Sequence, residues 1–105
     1  VVQGAGGGDV RTLALDVRGR LPVDRPGAVL IIGVADGKPS MVAAVNDAGQ
    51  SAGVSANDLV RAAAAILDGK GGGKADVAQG GGTDTGRLDE ALSAVLTEVA
   101  RETGA

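Results

Sequence analysis

Lys70-Gly71-Gly72-Gly73-Lys74-Ala75-Asp76-Val77-Ala78-Gln79-Gly80-Gly81-Gly82 decides how this chain is read. The stretch holds six of the chain's nineteen glycines, so it is nearly bare of side chains. It lies between two alanine- and leucine-rich segments with helical spacing. Glycine admits φ > 0 and close backbone approach. Successive exposed N–H groups in such a loop can form an anion-binding concavity, and nearby lysines supply positive charge. Two readings stand side by side: a phosphate cradle built on Lys70, Gly71, Gly72, Gly73 and Lys74, or a glycine loop that only turns and packs the chain. A P-loop is excluded. That motif needs four residues between its glycines and Ser or Thr after the lysine. Here three residues separate Gly69 from Gly73, and Ala75 follows Lys74.

Outward from this stretch the pattern is α/β. On the N-terminal side, Ala56 to Leu67 carries a stripe of Leu59, Ala63 and Ile66. Ser55 with Asp58 has capping-box spacing, and Gly69 stands where a left-handed helix end is expected. Before it, Ala28 to Ala35 is an apolar, β-branched run that reads as a central strand buried on both faces. Asp36-Gly37 is a hairpin signal, and Met41 to Val45 is the returning strand, ended by Asn46 to Gln50. At the start, Val1-Val2-Gln3-Gly4 reads as a short strand that begins abruptly, as a piece of a longer chain would. A helix capped by Asp9 follows, with Val10, Leu13, Val17 and Leu21 on one face. The glycines at 4 to 8 fall short of a dinucleotide fingerprint, because Asp9 occupies the third glycine position and would repel a pyrophosphate. Beyond the glycine stretch, Val77-Ala78-Gln79 reads as a short strand. Gln79 is either a ligand-facing amide or a strand residue with backbone partners. The last helix starts at Asp84 or Thr85 and runs through Leu88, Leu92, Val95 and Val99, and Gly104-Ala105 reads as a natural C-terminus. The order βαββαβα predicts a single α/β domain over 1–105, with a mixed sheet of about four strands packed by three helices.

Composition narrows the function. With 44% apolar residues but no Phe, Trp or Tyr, the core must be thin and aliphatic. Base stacking on aromatic rings is excluded, so RNA recognition would have to use backbone, Arg and Lys, or an aliphatic face. Ten basic and thirteen acidic residues give a net charge of −3, which argues against a stand-alone, tight nucleic-acid binder. There is no cysteine and no histidine, which removes thiolate metal sites and the usual general base. No apolar run is long enough to span a membrane. The expectation is a cytoplasmic, non-catalytic domain with no metal and no cofactor of its own.

The segment Gly69 to Gly82, with its Asp76-x-Ala78-Gln79-x-Gly81-Gly82 core, resembles the glycine-rich signature of the C-terminal domain of alanyl-tRNA synthetase, a member of the DHHA1 group. The resemblance extends through Val29 to Val45, Ala56 to Leu67 and Asp84 to Val95. It departs from the family pattern at Asp68 (usually Gly), Lys74 (usually Arg), Ala75 (usually Pro), Val77 (usually Met) and Gly80 (usually Ala). Lysine for arginine keeps the charge but loses a bidentate grip on phosphate. The resemblance implies a domain that docks on the elbow of tRNA for alanine and contributes to dimerisation. It implies a parent alanine–tRNA ligase whose other domains carry aminoacylation and editing, with ATP, magnesium and zinc. Lys70, Gly71, Gly72, Gly73 and Lys74 are then the expected tRNA contacts, with Gln79 and Arg87 as neighbours. Two alternatives belong to other classes. One is the substrate-binding half of a DHH phosphoesterase, where a histidine usually follows the glycines and Lys74 stands here. The other is a pure self-association module.

Overall fold

A computed structural model describes residues 2–4 and 6–103. The strand onset expected at Val1 and the chain end expected at Gly104-Ala105 lie outside the described residues. The elements are β1 (Val2–Gln3), α1 (Gly7–Gly19), β2 (Ala28–Ala35), β3 (Lys38–Val45), α2 (Asp47–Ser51), α3 (Ala56–Ile66), β4 (Lys70–Gly73), β5 (Val77–Gly81) and α4 (Leu88–Thr103). The sheet order is β1-β2-β3-β5-β4. Four strands are antiparallel, and the two-residue β1 runs parallel to β2 at one edge. The α/β class and the mixed sheet expected from the sequence hold. Strand β4 and the short helix α2 are additions to the expected order.

Alternation along the strands sorts the aliphatic side chains to two faces. On one face Val10 and Ala14 of α1 meet Val42, with Val29, Ile31 and Val77 beside them. Leu13, grouped with Val10 by spacing, is 39% exposed, and Ala14 takes the buried place. On the other face Ile32, Met41, Ala43, Val45 and Ala78 lie under Leu59, Val60, Ala63 and Ala64 of α3. Ala91 and Val95 of α4 close that core. The strand buried along most of its length is β3, not β2: Met41 through Val45 are all buried. It sits mid-sheet, whereas β2 has only the short β1 beyond it.

Several boundaries differ from the expected ones for identifiable reasons. Val10 N–H donates to Gly6 O at 3.0 Å, so α1 starts before Asp9; Gly6 is the N-cap, and Asp9 sits in the first turn. The hairpin at Asp36-Gly37 is as expected, with φ of 54° and 73° suited to a two-residue turn. Asn46 caps the five-residue α2, which lies in a stretch expected to be loop, by accepting Gly49 N–H at 2.7 Å. Ser55 caps α3 without a side-chain bond, and no capping box forms, because Asp58 turns toward α4. The left-handed residue after α3 is Asp68 (φ 56°), not Gly69. Gly69 N–H donates to Ala64 O at 2.9 Å, the long bond of a Schellman end. Asp84 does not start α4; its carboxylate accepts Gly86 N–H at 2.8 Å in a turn, and the helix begins at Leu88.

Candidate nucleic-acid interface

The glycine stretch is not a loop. Lys70–Gly73 is edge strand β4, hairpinned to β5 with Gly71 opposite Gly80 and Gly72 opposite Gln79. No residue from Gly69 to Gly82 has positive φ. The left-handed residues of an αR-αL anion-binding nest are therefore absent from this strand pair. The glycines serve close approach instead. A Cβ on Gly71 would lie 2.5 Å from Val60 Cγ1, and one on Gly69 would lie 1.9 Å from Gly81 O. Real Cβ contacts do not occur at such distances, so side chains are excluded wherever α3 lies down on the hairpin.

The three-residue turn Lys74-Ala75-Asp76 is pinned on two sides. Ala56 N–H donates to Ala75 O at 2.9 Å and Val45 N–H to Asp76 O at 2.8 Å. Gly73 N–H donates to Asn57 Oδ1 at 3.1 Å, and Val77 N–H to Asp76 Oδ1 at 3.0 Å. Asp76 and Ala78, both within the signature, therefore act in the architecture: the first orders the turn, and the second is buried opposite Ala43. Gln79 is the exception. It is exposed, on the α1 side of the sheet, and its Oε1 accepts from Arg11 Nη1 at 3.2 Å.

A groove runs along each side of β4. One, of about 320 Å³, is lined by Arg11, Gly72, Gly73, Lys74, Asp76 and Gln79 among others. The second, of about 550 Å³, is lined by Asn57, Arg61, Lys70 and Gly71, with Ala64, Ala65 and Gly69. Lys70 and Lys74 are both exposed, one in each groove. Arg11 and Arg61 are also exposed, and sequence reasoning missed both. Among the described residues none of these four cations forms an ion pair. Arg87 is not brought together with them. It stands just before α4 and donates to Glu90 Oε2 through Nε at 3.0 Å and Nη2 at 2.6 Å. Arg11 and Gln79 are 68 residues apart, and no local pattern links them.

Fold and site together define a class. Residues 1–101 match the DHHA1 domain model, and the chain belongs to that family. Within it the chain is of the C-Ala type, the C-terminal domain of alanyl-tRNA synthetase. The crystal structure of the C-Ala domain from Aquifex aeolicus alanyl-tRNA synthetase superposes with a TM-score of 0.80 at 30% identity, covering 98% of this chain and 86% of that one. An alanine–tRNA ligase of Nocardioides sp. is 64% identical over 98 residues, and that of Thermobifida fusca is 50% identical over 100. These matches take in 93% and 95% of this chain but 11% of each ligase, so the chain spans about a tenth of their length. A DHH-domain protein described as a member of the s1p family of ribosomal proteins shares the fold (TM-score 0.60) at 20% identity, over 93% of this chain and 22% of that one.

Proposed function

We propose that this domain docks tRNA, with the β4–β5 hairpin as the contact surface, within an alanine–tRNA ligase whose chemistry lies on other domains. One observation carries the reading: a strand with almost no side chains stands at the sheet edge, flanked by four exposed cations without carboxylate partners among the described residues. A bare strand lets a ribose-phosphate backbone approach closely, and Arg and Lys on either side neutralise its charge. With no aromatic ring in the chain, recognition is of backbone and shape rather than of stacked bases. That chemistry suits a ribose-phosphate surface such as the outer elbow of tRNA. The net charge of −3 makes the docking a local, weak interaction that the remainder of the ligase reinforces.

The expected contacts are Lys70, Lys74, Arg11 and Arg61, with backbone from Gly71 to Gly73 and with Gln79 orienting Arg11. Arg87, held by Glu90, stays outside the set. The test is titration with tRNA for alanine across a range of salt. Removing one cation that neutralises a phosphate should lower the slope of log K against log salt by about 0.7–0.9. Replacing Lys70 and Lys74 together by Ala should weaken binding and lower the slope by about 1.5. Unchanged affinity and slope would mean that the hairpin is purely architectural.

A further inference from the structure

The α3–α4 seam holds a cluster that tRNA docking does not use. Carboxylate oxygens of Asp58, Glu98 and Glu102 all lie within 4.8 Å of one another. Both Glu102 oxygens are shut off from solvent without a hydrogen bond of good geometry, although the Ser55 backbone lies beside them. Two ionised carboxylates so placed can only repel, since each is an acceptor. We propose that Glu102 and Asp58 share one proton, so that the last turn of α4 is clasped to the first turn of α3 by a carboxylic acid–carboxylate hydrogen bond that opens on deprotonation.

Among the described residues no cation forms an ion pair with Glu102 or Asp58. On α3 the facing charge is Asp58. On α4 they are Glu98 and Arg101; Arg101 is turned to Glu98, and the charges of Glu102 and Asp58 also reach it. The segment from Ser51 to Ser55 carries no charged side chain and contributes only the Ser55 backbone. Burial, then the hydrogen bond and charge of Asp58, then the charge of Glu98, push the Glu102 carboxyl up to about 7, against a slight lowering from the Ser55 backbone. Between the ordinary carboxyl range and about 7 the folded state holds a proton that the unfolded chain has lost, so stability falls as pH rises through that window. Above it both states are ionised and the dependence flattens. The clasp sits next to the pins of the glycine hairpin, because Ala56 and Asn57 of the same helical turn hold Ala75 and Gly73.

The test uses the chain as a free domain, as its Aquifex counterpart was crystallised. A carbon-detected NMR titration of the Glu102 side-chain carboxyl should show a midpoint near neutral pH. Melting should drop by roughly 5–10 °C between mildly acidic and mildly alkaline buffer. Glu102→Gln should melt above the wild type in the alkaline buffer and lose most of that drop, because an amide donates to Asp58 without needing a proton. Asp58→Asn should do the same from the other side, which keeps the test intact if one variant folds poorly. A Glu102 carboxyl that titrates in the ordinary range of an exposed glutamate overturns the clasp. So does a Glu102→Gln protein that melts below the wild type in the alkaline buffer.

Discussion

At the scale of single residues, Asn46 does more than end a strand. Its Oδ1 accepts from Gly49 N at 2.7 Å and from Gly27 N at 2.9 Å. Its Nδ2 donates to Arg25 O at 2.8 Å and Pro22 O at 3.2 Å. One side chain thus caps α2 and ties the 22–27 loop to the end of β3. Asn46→Ala leaves four backbone groups to find water, at a cost of about 2 kcal/mol. The melting temperature should fall by roughly 10 °C. Asn46→Asp keeps the cap acceptor but loses both donated bonds, so it should fall between wild type and alanine. If alanine melts with the wild type, the loop is held by other interactions.

At the scale of elements, what was legible in the sequence depended on whether a side-chain pattern existed to be read. The β2–β3 hairpin showed itself through Asp36-Gly37 between two apolar runs, and α3 through Leu59, Ala63 and Ile66. Strand β4 did not, because Lys-Gly-Gly-Gly has no alternation: the proximity of Val60 that makes it a packed strand has removed the side chains that would mark it as one. The five residues of α2 are too few for a period. Arg11 and Arg61 could not be assigned to the site, since only the fold brings α1 and α3 to the two sides of β4. Lys70, Lys74 and Gln79 could be named as candidates because they stand inside a recognisable signature. Close approach at β4 should produce graded costs. Gly69→Ala puts a methyl 1.9 Å from Gly81 O, a backbone atom that the sheet holds in place. It should cost about 3 kcal/mol or more by denaturant midpoint. Gly72→Ala meets only the Asn57 amide oxygen at 2.9 Å, which can turn aside by giving up its exposed bond from Gly73 N–H, and should cost about 1 kcal/mol. Equal costs at both sites would show that close approach is not what selects glycine there.

At the scale of the whole molecule, an acidic domain presents a local basic edge. Its long-range field opposes RNA, so affinity must come from cations close enough to phosphate to act inside the screening length. An exposed apolar groove between β2 and α4, lined by Leu30, Leu92 and Leu96, lies on the face away from α1. The measurement that reaches the central claim most directly is a titration of the unmodified chain with tRNA for alanine and with a non-cognate tRNA. Both should be run at two salt concentrations. Docking through backbone and shape predicts similar affinity for both tRNAs and a salt slope of about 3, from four phosphate-facing cations. Absence of binding at low salt, or binding indifferent to salt, would contradict it.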